Sequence, residues 1–159
     1  IAVVVAQPQE SGRIVVRAKI WHPDGGVMDV AAVEQHIREL GREYTVQEFA
    51  YDPAFFQRSA EAMSDEGFTM VEFSQSTARM VPACGTLYEM IVNQKIAHDG
   101  HPVFTDQVLS AAQRSTDMGW RLSKGKSKRK IDAAIALAMA VDRATRRVES
   151  VQQPGFFVV

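Results

Sequence analysis

The sequence has one cysteine, Cys84, among its 159 residues. A lone thiol closes no internal disulfide and builds no cysteine-rich zinc site, and a cytosolic setting fits best. Long apolar runs are also missing: none approaches the roughly 20 residues that cross a bilayer. "IAVVVA" at the start is too short for that and lacks the basic lead of a signal peptide. It reads as a strand that begins at once, so the chain is expected to be cut from something longer. There is no "GxxxxGK[ST]", which excludes ATP binding through a P-loop. Serine and cysteine nucleophiles have no legible partners.

What remains is ordinary globular composition, 46% hydrophobic and 23% charged, at a length that suits one domain with a real core. The net charge of -1 hides an asymmetry. Residues 1–109 carry 8 Lys/Arg against 15 Asp/Glu, and residues 110–147 carry 10 against 3. Such a split suggests a face that meets a polyanion, although a solvated basic loop gives the same count.

Along the chain, "IAVVVA" and "RIVVRAKIW" are rich in β-branched residues and flank the turn chemistry of "QPQESG", which predicts an antiparallel hairpin. Asp29 caps a helix striped by Val30, Val33, Ile37 and Leu40, with Gly41 as its end. "TVQEFAYD" is a strand. "PAFFQRSAEAMSDEG" is a helix with proline at its first position and Gly67 past its end, and "FTMVEFSQ" is a further strand. Ala78 to Ala97 reads as a long helix whose Leu87, Met90, Ile91 and Ile96 face the core. "VFTDQVLSAAQRS" is a short helix, and "TDMGWRLSKGKSKRK" is a loop with a short strand near Trp120 to Leu122. The last helix runs from about Arg129 to Arg147, and "QQPGFFVV" is a tail. The expected fold is α/β, a mixed sheet flanked by helices, with 1–147 as the domain and 148–159 as the tail. Ligands in such sheets gather at the carboxyl ends of strands.

Asp52 stands at such an end, before Pro53. Aspartate before a proline-started helix is an ordinary N-cap, yet one oxygen can cap while the other meets a metal. Asp132 shares a face with Ala136, Met139 and Arg143. With Ser127 as the cap it would fall in the second helical turn, on a face where a lone carboxylate needs a partner. A nearby Lys or Arg would serve, and so would a divalent metal shared with Asp52, since hard cations take carboxylate oxygens and water. Just before it, "KGKSKRK" packs Lys124, Lys126, Lys128, Arg129 and Lys130. Acids that hold metals beside cations that hold phosphates are what phosphodiester cleavage requires. His98 and His101 flank Asp99, but Gly100 and Pro102 favour a hydrogen-bonded turn over a zinc site. Glu72 is expected to face solvent and Asp106 to cap or decorate a helix.

The succession "YDP", "EGFTMVEFSQ", "LYEMIVNQKIAHDGHPVF" and "WRLSKGKSKRKIDAAIALAMA" resembles the nuclease domain of tailed-phage and prophage terminase large subunits, over nearly the whole chain. The resemblance implies a ribonuclease H-like fold and metal-dependent cutting of concatemeric viral DNA. It matches Asp52 in "YDP" and Asp132 in "KID" to catalytic metal ligands for two magnesium or manganese ions. It implies double-stranded DNA as substrate, with an ATPase domain, a small terminase subunit and a portal as partners in a bacterial host cytoplasm. It also puts a first acid on a strand before "IAVVVA". Two other readings compete. One is a module that only docks to DNA, or to a portal or motor through "FFVV". The other is a resolvase or transposase relative.

Overall fold

The computed structural model describes residues 1–23, 25–148 and 156–158. Strands β1 (Ala2–Pro8) and β2 (Ile14–Ile20) form the expected hairpin, an antiparallel ladder from Ala2↔Ile20 to Pro8↔Ile14. Helix α1 (Val30–Glu43) starts where the Asp29 carboxylate accepts the Ala32 N–H at 2.9 Å. Gly41 lies inside α1 rather than ending it. A Cβ there would overlap the Phe68 ring, so the glycine permits close packing instead of terminating the helix. Strand β3 (Val46–Tyr51), helix α2 (Pro53–Asp65) and strand β4 (Met70–Glu72) follow as expected, with Gly67 at φ 95° after α2.

Helix α3 (Thr77–Val92) runs through Pro82 but stops short of Ala97. Gln94 turns the chain at φ 55°, and strand β5 (Ile96–His98) pairs parallel with β2. Ile91, expected in the core, is 45% exposed, whereas Ile96 reaches the core from the strand. Helix α4 (Pro102–Leu109) is shorter than expected because "QRST" forms strand β6 (Gln113–Thr116), a hairpin with β7 (Gly119–Leu122). Helix α5 is Asp132–Val148, and strand β8 is Phe156–Val158. Of the expected tail, 148–159, residues 149–155 and 159 lie outside the described residues.

The start of α5 differs from the sequence expectation. Ser127 does not cap it. The Ser127 hydroxyl accepts from the Ala112 N–H at 3.0 Å and donates to the Ser123 carbonyl at 2.8 Å, which pins the basic loop to the β6–β7 hairpin. Gln107 of α4 caps α5 instead, its Oε1 accepting the Ala133 N–H at 2.8 Å. Asp132 is therefore the first residue of the helix and not in its second turn.

The main sheet has the order β4-β3-β8-β1-β2-β5. Every strand in it runs one way except β1, which is antiparallel to both β2 and β8. Alternate residues of β1 face opposite layers. Val3 joins Val33, Ile37, Leu40, Phe49 and Met63 beside α1 and α2. Val4 and Ala6 join the core built with α3, α4 and α5. Buried Glu48 of β3 accepts two bonds from the Arg143 guanidinium, Nη2 at 2.8 Å, and so ties α5 to the sheet. Removing the guanidinium takes two charge-assisted hydrogen bonds from a buried carboxylate. Arg143→Met should thus lower unfolding stability by about 1.5–3 kcal/mol, read by urea denaturation, and pairing it with Glu48→Gln should recover part of the loss.

Candidate metal centre and DNA interface

Because β1 opposes β3 in direction, the start of β1 lies level with the carboxyl end of β3. The first turn of α5 arrives at the same edge: the Ile1 amino group is 3.7 Å from Asp132 Oδ2. A cavity of about 370 Å³ opens there. Ile1, Ala2 and Val3 line one side, Ala50, Tyr51 and Asp52 the other, and Ile135, Ala136 and Met139 come from α5. Asp132, Lys124 and Gln75 add polar groups to the same cavity.

The cavity continues a slot in the sheet. β8 lies between β1 and β3, with rungs at Val5 and Ala6 on one side and from Val46 to Phe49 on the other. The cavity walls begin where those ladders stop.

Asp52 is the N-cap of α2, with Oδ1 accepting the Ala54 N–H at 3.1 Å, and it lines the cavity half-buried. Asp132 faces the favourable end of the α5 dipole. Lys124 Nζ lies 3.0 Å from its Oδ1. Burial pushes the Asp132 carboxyl up, but the Lys124 hydrogen bond and charge, with the Ile1 amino group and Lys130, outweigh it and hold the carboxyl below its ordinary range. Burial and a neighbouring acid would each raise a carboxyl, and a neighbouring cation lowers it. The Asp132 carboxyl is lowered, and the cation beside it is the chain's own ammonium.

The other basic residues divide. Lys126, Lys128 and Lys130 are exposed. Arg129, also exposed, donates to Asp106 at 2.6 Å. Glu72, exposed, ends β4. The "HDGHP" segment is a turn. His98 Nδ1 accepts from Gly100, Asp99 Oδ1 accepts from His101, and His101 Nδ1 caps α4 through the Phe104 N–H. Among the described residues no group of three or more His, Cys, Asp or Glu is placed to hold a metal. The donor set at the cavity is two carboxylates, which suits a hard cation that keeps several waters. Sequence reasoning missed Gln107 and Gln75, and no local pattern marks either.

This mixed sheet with helices on both faces and acids at one strand edge is a ribonuclease H-like fold. The chain belongs to the family of the terminase large subunit, endonuclease domain, which matches residues 10–148. The terminase large subunit of Enterobacteria phage HK97 is 30% identical over 137 residues, covering 84% of this chain and 27% of that protein. The crystal structure of the HK97 bacteriophage large terminase shares the fold with a TM-score of 0.81 at 23% identity, over 90% of this chain and 36% of that one. The chain thus spans well under half the length of these relatives.

A carboxyl held low contributes stability above the ordinary carboxylate range and loses it as pH falls through the depressed value. The acid limb of the stability–pH curve should therefore be shallower for Asp132→Asn than for the native chain, as thermal melts between neutral and acid pH would show.

Proposed function

We propose that this chain is the metal-dependent DNA endonuclease part of a phage terminase large subunit, cutting concatemeric double-stranded DNA during genome packaging. The observation that carries this reading is the meeting of Asp52 and Asp132 at one cavity beside an exposed lysine loop. Asp52 and Asp132 would hold magnesium or manganese there, two ions in this reading, which would supply the activated water and the charge that stabilises the leaving oxygen. The chain's own residues do the rest. The Gln107 cap and the buried body of α5 fix Asp132. The α2 cap fixes Asp52. Lys126, Lys128 and Lys130 hold backbone phosphates as point charges, a contact that carries no sequence information.

The slot between β1 and β3 supports the resemblance further. A strand preceding Ile1 and bearing the additional acid would run parallel to β3 and end level with Asp52. It would compete with β8 for the rungs at Val5 and Ala6. We take 1–147 as the body of the nuclease domain and 148–159 as a tail whose Phe156–Val158 returns to the sheet as β8. The ATPase domain, small subunit and portal are the partners of the whole machine, in the host cytoplasm. Among the described residues no helix is long and apolar enough to cross a membrane.

Plasmid nicking and linearisation in manganese, with EDTA as control, tests this reading on the chain extended upstream through that strand. Asp52→Asn and Asp132→Asn should each slow cleavage by about 100- to 1,000-fold, the range for losing several kcal/mol of charge stabilisation. Asparagine still caps a helix, so Asp52→Asn should melt like the native chain. Normal cleavage by Asp132→Asn would overturn the assignment. Salt-steep DNA binding without cleavage would leave the docking module in its place.

A further inference from the structure

We propose that Lys124 is a positioning residue that couples ion loading to strand binding. Its ammonium holds the Asp132 carboxylate while no divalent ion is bound, and passes to a backbone phosphate when an ion takes that carboxylate. The inference deepens the nuclease reading and rests on it.

Five basic residues stand in "KGKSKRK", and Lys124 is the one that lines the cavity. Its Nζ is 3.0 Å from Asp132 Oδ1, an oxygen that a divalent ion at this carboxylate would compete for. The loop around it is pinned. Ser123 is buried and donates its N–H to Ala112 at 2.9 Å. The Lys126 and Ser127 N–H groups return to the Ser123 carbonyl at 3.3 and 3.1 Å. The backbone on both sides of Lys124 is thus fixed, while the side chain itself is 48% exposed. A flexible four-carbon stem on a fixed anchor can swing a compact charge over several ångströms.

Electrostatics gives the swing a direction. A divalent ion on Asp132 neutralises the charge that holds the ammonium and repels it. The nearest compensating anion is then the phosphate of the strand laid along the loop. In the chain extended upstream, Ile1 carries no free amino group and Lys124 is the ammonium bonded to Asp132, so the variants are compared in that chain.

The exchange makes two predictions of opposite sign. With manganese alone and no DNA, Lys124→Met should bind the ion more tightly, by about two- to fivefold, the range an exposed ion pair spans. The same variant should bind duplex DNA more weakly, with the salt slope reduced by about one. Lys124→Arg should move both quantities back toward native. Free manganese is counted by electron paramagnetic resonance and DNA binding by fluorescence anisotropy, with thermal melts to confirm folding. A passive phosphate contact would leave manganese affinity unchanged, and that result overturns the coupling. If Asp132→Asn binds manganese as the native chain does, the nuclease site itself falls and the coupling with it. If Asp132→Asn loses the ion while Lys124→Met gains nothing, the site stands and only the coupling is overturned.

Discussion

From Ala133 to Asp142 every residue of α5 is buried, so this helix has no free face to rotate toward solvent. A helix apolar nearly all round must be enclosed, and here β1 and α3 enclose it. Alanines at 133, 134, 136, 138 and 140 keep it thin enough for close approach. Its axial position is fixed at both ends, by the Gln107 cap at the start and by Arg143 on Glu48 farther along. Asp132 is carried on the first residue of that immobilised rod. Its position therefore depends on the packing of the core rather than on its own contacts.

The opposite acid is held by different means. Asp52 is fixed by the geometry of a strand that turns at once into a proline-started helix. Two unrelated constraints thus deliver two carboxylates to one cavity. The reversal of β1 against the rest of the sheet brings the chain start to the same edge and leaves a slot there, part of it occupied by β8. Charge at this edge is balanced locally. The dipole of α5 and Lys124 favour the Asp132 anion, which keeps the carboxylate ready for a cation at neutral pH.

The legible parts of the sequence were those governed by neighbours along the chain. Valine-rich runs around a turn specified the β1–β2 hairpin. Asp29 and Asp52 were readable as caps because capping is a matter of two or three residues. The illegible parts were set by distant partners. α3 ends early because β5 finds β2. α5 starts late because its cap comes from α4, and because the Ser127 hydroxyl is already engaged by Ala112. The basic run announced positive charge but not which lysine would turn toward an acid. That choice belongs to the loop pinned at Ser123 and Ser127. The acids were nameable one by one, whereas their convergence depends on strand direction, which composition does not reveal.

In the proposed nuclease, Asp52 and Asp132 act on one ion site. Manganese titration followed by paramagnetic broadening of backbone amide signals tests it most directly. The account predicts that signals from Tyr51–Asp52 and from Ile131–Ala133 broaden together, at the same manganese concentration, and that either aspartate-to-asparagine change removes both sets. Broadening at only one of the two segments, or at exposed acids such as Glu72 and Asp117 while the cavity signals stay sharp, would contradict it.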